Sequence, residues 1–341
     1  MEHACLAYID VKKTHYITLG SFILKLVTNQ PDQYFGKYFS EHQYLQPSEF
    51  INEDFTIYVN ETASIPNELF DRVEEDWRAG VMRKGYYTAQ YFGPPVIMIR
   101  QYRTIYLFGK NLDKIVWRYC IKMLLTTLSY EKNMLHLKAS AFQCGNSGYL
   151  LVSPGSQGKT TLLHQMMEHG AKFLTNTHVL IDKNLVAEGI HSNLRFRNIP
   201  ADTRFEFKNA NVGQISKGEF NIDPFRLYLS DNIAASMKIN AIIITQKNTD
   251  GKLECVKCEP ETAFDVIQFF GAPIQTYNLK QDIFEYCDRN YMLFSAMVKQ
   301  IEENIKDLLK SVPCYLLSVD VFEEKNSRKL YELLYNNLNE N

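Results

Sequence analysis

The sequence predicts an α/β fold with a mixed sheet in its larger part, preceded by a smaller α+β domain. Two observations carry this. After residue 131, apolar strand-like runs alternate with segments of helical spacing. Before it, short β-branched and aromatic runs are separated by polar loops and a few helical stretches. A chain of 341 residues suffices for one large domain or two ordinary ones. The division is placed between residues 1–130 and 131–341.

In the first part Phe55–Val59, Pro95–Arg100 and Thr104–Phe108 have strand composition. The stretch from Asn67 to Arg78 has a helical pattern. Leu112, Ile115, Val116, Tyr119, Met123 and Leu124 also fall at helical spacing, with Asn111 as the N-cap and an end near Tyr130. The second part opens with a strand over Leu135–Phe142. A glycine-containing turn, the apolar run Tyr149–Val152, a glycine-rich loop and a helix from Lys159 to His169 follow, with Gly170 as the stop. Lys172–Thr175 and His178–Ile181 form another strand or two, and Ala241–Thr245 is a buried strand. Ala263–Phe270 is helical, Tyr315–Val319 is a late strand, and Ser327–Leu338 is a closing helix.

Hydrophobic residues make up 45% and charged residues 22%, a globular balance. The net charge of -2 gives no basic footprint for duplex nucleic acid, so no nucleic-acid partner is expected. The 21 Tyr and 21 Phe suit strand cores and interfaces better than a base-stacking platform. No basic-then-apolar leader stands at the amino terminus, and no apolar run approaches the roughly 20 residues of a membrane span. Seven scattered cysteines fit reduced thiols. These features point to a cytoplasmic chain without a membrane partner. Cys255 and Cys258 lack the second close pair that a zinc ribbon needs. The aromatic-rich first part leaves a homo-oligomer open.

The chemistry concentrates in one segment. Ser153-Pro-Gly-Ser-Gln-Gly-Lys-Thr160 matches the phosphate-binding (Walker A) pattern G-x-x-x-x-G-K-[ST], with Ser153 in place of the first glycine. An apolar strand precedes it, and Leu162, Leu163 and Met166 follow at helical spacing. Gly155 and Gly158 are expected to supply backbone angles that side chains forbid. The N–H groups of Ser153, Gly155, Ser156, Gln157 and Gly158 would then form an anion nest at a helix N-terminus. Lys159 would reach the β and γ phosphates, Thr160 would ligate Mg²⁺, and Thr161 would meet the α phosphate. The ligand implied is ATP or another nucleoside triphosphate with Mg²⁺. The bland alternative is a glycine-rich turn with a surface lysine.

LHLKASAF followed by YLLVSPGSQGKTTLLHQMMEHGAKFLTNTHVLID resembles the HPr kinase/phosphorylase and PEP-carboxykinase-like group of P-loop kinases, in a divergent branch acting on small molecules or peptides. The resemblance spans about residues 131–335 and is most specific around the loop. It implies a P-loop core of that type with ATP and Mg²⁺. Where that family carries a carboxylate pair, this chain has Asn176 and Thr177. At the family's upstream histidine position stands Lys138, with His136 two residues earlier.

Phosphoryl transfer needs positioning, charge neutralisation and a group to take the acceptor's proton. His178 is the first candidate for that base, followed by His136 and Asp182. Asn176 would orient a water or a metal-bound oxygen, and Lys138 would neutralise phosphate charge or stand as a surface lysine. Arg195 and Arg197 alternate along a strand, either clamping an anionic substrate group or lying solvated at an edge. His164 and His169 are read as surface residues. Three functions stay open: a kinase phosphorylating a hydroxyl of a small metabolite or peptide; a nucleotide-binding regulatory or scaffold protein without transfer; and an ATPase or GTPase using Asp182 for Mg²⁺.

Overall fold

The computed structural model describes residues 5–46, 51–70, 74–75, 85–88, 96–197, 213–216 and 219–336. The chain forms two units, one of Met1–Glu131 with Tyr277–Val298, the other of Lys132–Thr276 with Lys299–Asn341. No helix among the described residues is long and apolar enough to cross a membrane.

The first unit holds an eight-stranded sheet of β1 (Lys13–Leu19), β2 (Phe22–Thr28), β3 (Tyr44–Leu45), β4 (Phe55–Glu61), β5 (Glu74–Glu75), β6 (Gly85–Thr88), β7 (Val96–Gln101) and β8 (Thr104–Gly109), in the order β3-β1-β2-β4-β8-β7-β6-β5. The helix expected over Asn67–Arg78 is only Asn67–Phe70, and Glu74–Glu75 is a strand; the rest of that segment lies outside the described residues. A longer helix follows β8 through Leu112–Ile115, a π-helical turn at Val116–Cys120, and Ile121–Glu131. Asn111 adopts a left-handed conformation and does not cap it. Glu61 does: its carboxylate accepts from the N–H groups of Leu112 at 2.6 Å and Asn111 at 3.1 Å, a favourable place for an anion. The segment Tyr277–Val298 is tied into this unit by Tyr119 donating to Asp282 and by Arg100 Nη2 donating to Glu285 O at 2.8 Å.

The second unit is built on a nine-stranded sheet. Its strands are β9 (Leu135–Lys138), β10 (Ser140–Cys144), β11 (Ser147–Val152), β12 (Lys172–Thr175), β13 (His178–Ile181), β14 (Val186–Gly189), β18 (Ser236–Lys247), β19 (Leu253–Lys257) and β20 (Cys314–Val319). A separate small sheet holds β15 (Leu194–Arg197), β16 (Gly213–Ser216) and β17 (Glu219–Ile222), with β15 at its edge. The large sheet runs β12-β10-β11-β18-β14-β13-β9, with β20 beside β18 and β19 beside β20. β11, β18 and β20 are parallel.

Every residue of β11 is buried, as expected of a central strand covered on both faces. Leu150 and Val152 join an apolar cluster with Ile267, Ile305 and Leu308. Tyr149 and Leu151 turn the other way, toward Leu163 and Met166 of the helix Lys159–Glu168 and Leu330 and Leu334 of the helix Glu324–Tyr335. That first helix ends at Gly170, whose φ of 101° lets its N–H reach Met167 O at 3.0 Å while Ala171 N reaches Met166 O at 3.0 Å. Paired bonds of this kind satisfy the carbonyls a helix terminus exposes.

One irregularity decides which side chains meet. Phe142 pairs with Phe173, yet Ala141 pairs with Thr175, so Leu174 is an extra residue. In a regular strand Asn176 would face opposite to Phe173, three residues earlier. The bulge restores it to Phe173's face, the one covered by the helix Lys159–Glu168.

Candidate functional site

The loop follows β11 as a strand-to-helix corner. Ser156 and Gly158 adopt positive φ, 63° and 82°, and Gly158 is the N-cap residue of the helix. Gly155 does not: its φ is outside the left-handed region, and an added Cβ would meet nothing within 4 Å. The expectation that Gly155 supplies a forbidden angle is therefore corrected, and Ser156 carries that angle instead. Gly158 is needed twice over, because a Cβ there would lie 2.9 Å from Val321 Cγ1. Gln157 braces the loop by accepting from Lys247 N, at the end of β18, at 3.0 Å.

The first bond of the helix runs from Leu162 N to Gly158 O at 2.8 Å. The N–H groups of Lys159, Thr160 and Thr161 precede that ladder, so they are the donors a helix N-terminus presents to an anion. Lys159 is folded back over the loop. Its Nζ donates to Ser153 O at 2.8 Å, Ser153 Oγ at 2.9 Å and Pro154 O at 2.9 Å. Burial, and then the nearby Lys138 ammonium, push the Lys159 amine down to about 7.

Thr160 Oγ1 donates to Asn176 Oδ1 at 3.0 Å. Asn176 is held in turn by Ser140 Oγ, which donates to its carbonyl at 2.7 Å. The register of β9 against β13 places Lys138 opposite His178 and His136 opposite Leu180. Directly opposed residues share a face, so Ser140, Lys138 and His136 form a polar column on the face of the loop helix, with Asn176 and His178 beside it. His136 Nε2 and His178 Nδ1 are 3.0 Å apart, within hydrogen-bond distance. Burial drives the His136 imidazole down to about 3, so it stays neutral. Burial also lowers the Lys138 amine.

The structure thus brings Ser153, Gly158, Lys159, Thr160, Asn176, Lys138, His178 and His136 into one neighbourhood. Asp182 is not among them. It lies past the far end of β13, next after Ile181. Its carboxylate accepts from Asn184 N and Val186 N, both at 2.8 Å, which closes the turn into β14. Asp182 as base or metal carboxylate is corrected to a turn residue.

Arg195 is half-buried on β15, whose neighbours Leu194 and Phe196 belong to the apolar cluster of the loop helix. Alternation turns Arg195 to the other side. For Arg197 only the backbone, paired with Glu219, is described. His164 is not a surface residue: it is buried, its Nδ1 lies 3.0 Å from the Tyr228 hydroxyl, and burial lowers it to about 4. His169 is half-buried, with Nε2 3.0 Å from Ser327 Oγ.

Two residues escaped the sequence reading. Ser140 is the next inward position after His136 and Lys138 in LHLKASAF, a period-two signal that was present. Thr245 is buried at the end of β18, one residue past the Val152–Ile244 pairing and so beside Ser153, and its hydroxyl has no hydrogen-bond partner among the described residues.

The groups present fit a polyphosphate: helix N–H donors, two lysine amino groups, and a hydroxyl oxygen on the first helical turn. For Mg²⁺ the fit is partial. Thr160 Oγ1 and Asn176 Oδ1 are hard oxygen donors, but no group of three or more His, Cys, Asp or Glu able to hold a metal occurs among the described residues. All seven cysteines are free thiols.

No family model matches the chain, and no curated protein is similar to it. Among solved structures it is similar to the HPr(Ser) kinase/phosphatase from Coxiella burnetii, at 8% identity and a TM-score of 0.32, over 60% of this chain and 95% of that one. At that identity and score the likeness says nothing of chemistry, which rests on this chain's own residues.

Proposed function

We propose that the second unit binds a nucleoside triphosphate with Mg²⁺ at the Ser153–Thr161 loop and transfers its γ-phosphoryl group to a hydroxyl of a small metabolite or peptide. One observation carries the reading: Lys159 and Thr160 stand on the first helical turn of a strand-to-helix corner, with Asn176 3.0 Å from the Thr160 hydroxyl. Lys159 exchanges its loop acceptors for the β and γ phosphates, and Lys138 adds charge from the neighbouring strand. Mg²⁺, when bound with the nucleotide, neutralises charge on the phosphate oxygens; Thr160 would hold it and Asn176 would orient its waters. His178 takes the proton of the acceptor hydroxyl. As base it would donate its Nδ1–H to His136 Nε2, 3.0 Å away, which leaves Nε2 to exchange a proton with substrate.

A second reading, nucleotide binding without transfer, is favoured by Asn176 standing where phosphoryl transfer would use a carboxylate. The ATPase or GTPase reading loses its support with Asp182 in a turn.

The test is binding and single-turnover transfer with MgATP. Lys159→Ala is expected to abolish MgATP-dependent thermal stabilisation. His178→Ala is expected to lower transfer by roughly 100-fold or more with nucleotide affinity nearly unchanged. Unchanged stabilisation in Lys159→Ala removes the loop as the site; equal loss of affinity and transfer in His178→Ala removes His178 as base.

A further inference from the structure

We infer that Ser153, the residue that departs from the phosphate-loop pattern, sets nucleotide affinity by holding Lys159 in a retracted position. The inference rests on the nucleotide-binding reading and concerns the same loop.

An ammonium has three hydrogens to donate. In this structure Lys159 spends three bonds within the loop, on Ser153 O at 2.8 Å, Ser153 Oγ at 2.9 Å and Pro154 O at 2.9 Å. Two of those acceptors are backbone carbonyls that any residue would offer. The third exists only because position 153 is serine rather than glycine. The Ser153 hydroxyl is itself held, donating to Pro154 O at 3.1 Å, which aims its lone pairs at the ammonium. Ser153 is fully buried at the end of β11, so water does not replace the hydroxyl without rearrangement of the loop.

Lys159 cannot serve these acceptors and a phosphate chain at once. Nucleotide must therefore draw the ammonium off a site in which each of its hydrogens has a partner. Removing the Ser153 hydroxyl leaves one buried N–H without an acceptor in the retracted state and takes nothing from the bound state. That asymmetry favours binding, because an unmet buried donor is costly, the more so when charged. Ser153 is a positioning residue, acting through Lys159.

The experiment measures the MgATP dissociation constant by calorimetry on the full chain. It compares wild type with Ser153→Ala and Ser153→Gly, which lose the hydroxyl, and with Ser153→Thr, which keeps one. Loss of the hydroxyl is expected to tighten binding about tenfold. Ser153→Thr is expected to stay within about twofold of wild type, a rescue that a merely structural role would not produce. The half-saturating Mg²⁺ concentration at fixed ATP is expected not to move. Binding by wild type with no gain in either hydroxyl-free variant overturns this inference and leaves the nucleotide reading standing. No MgATP binding by any of the four proteins removes both.

Discussion

Replacing Gly158 by alanine tests the loop geometry most sharply. Two costs are predictable from the structure. Gly158 has φ of 82°, and an L-residue held in the left-handed region loses about 1–2 kcal/mol. The new Cβ would also lie 2.9 Å from Val321 Cγ1 and 3.2 Å from Cγ2. Val321 is buried in the cluster beneath the loop helix and, being β-branched, cannot rotate away cheaply. Overpacking of this kind adds about 1–3 kcal/mol, so the total is about 2–5 kcal/mol of stability. Urea unfolding of the free chain reads it as a shift in midpoint at constant slope. Gly155→Ala is the internal control: its Cβ meets nothing and its backbone is not left-handed, so it should stay within about 0.5 kcal/mol of wild type. A Gly158→Ala, Val321→Ala double-mutant cycle should recover the steric part and leave the backbone part. If Gly158→Ala costs no more than Gly155→Ala, the loop does not have the described conformation.

Three further outcomes are expected. Lys159 has its amine pushed from 10.5 down to about 7 in the folded chain, so between those values the unfolded chain binds the extra proton. Stability of the free protein should therefore rise with pH from about 7 towards 10.5, and Lys159→Met should flatten that rise in denaturation series across pH. His136 and His164 are lowered from 6.5 to about 3 and about 4; unfolding then takes up protons below 6.5, and stability should fall as pH drops through 6 and 5, less steeply in His164→Gln. Asp182→Asn should cost about 1 kcal/mol through the turn and leave the MgATP dissociation constant unchanged; a loss of affinity would return Asp182 to the site.

The loop and its flanking strand and helix were legible because they are local. Apolar run, glycine and Lys-Thr fall within about twenty consecutive residues, and helix period and stop signal agree with them. The pairing of Thr160 with Asn176 was not legible, since it depends on Leu174 being an extra residue, and Lys-Phe-Leu-Thr carries no composition mark of a bulge. Asp182 misled for the same reason: a carboxylate after an apolar run suits both a metal site and a turn, and only the bonds to Asn184 and Val186 separate the two. The helix Tyr291–Ser311 went unread although Met297, Ile301, Ile305 and Leu308 recur at its period. Its first turns have Tyr291 and Met292 exposed, which blurred the pattern. Asn111 looked like a cap by residue type, whereas Glu61, fifty residues earlier, performs the capping.

The spare residue at Leu174 marks a point of slack in a stretch that is otherwise sensitive to counting as well as to composition. Loss of the Leu174 codon would leave a regular strand with Asn176 and His178 still on the face of Phe173, whereas one codon gained between Thr175 and His178 would turn His178 onto the side lined by Leu137 and Val179. An imidazole would then be driven among aliphatic side chains, and the lesion would register as misfolding rather than as altered specificity. Facing is therefore indifferent to length at Leu174, as it is at the exposed Lys183–Asn184 turn, and strict in the residues between.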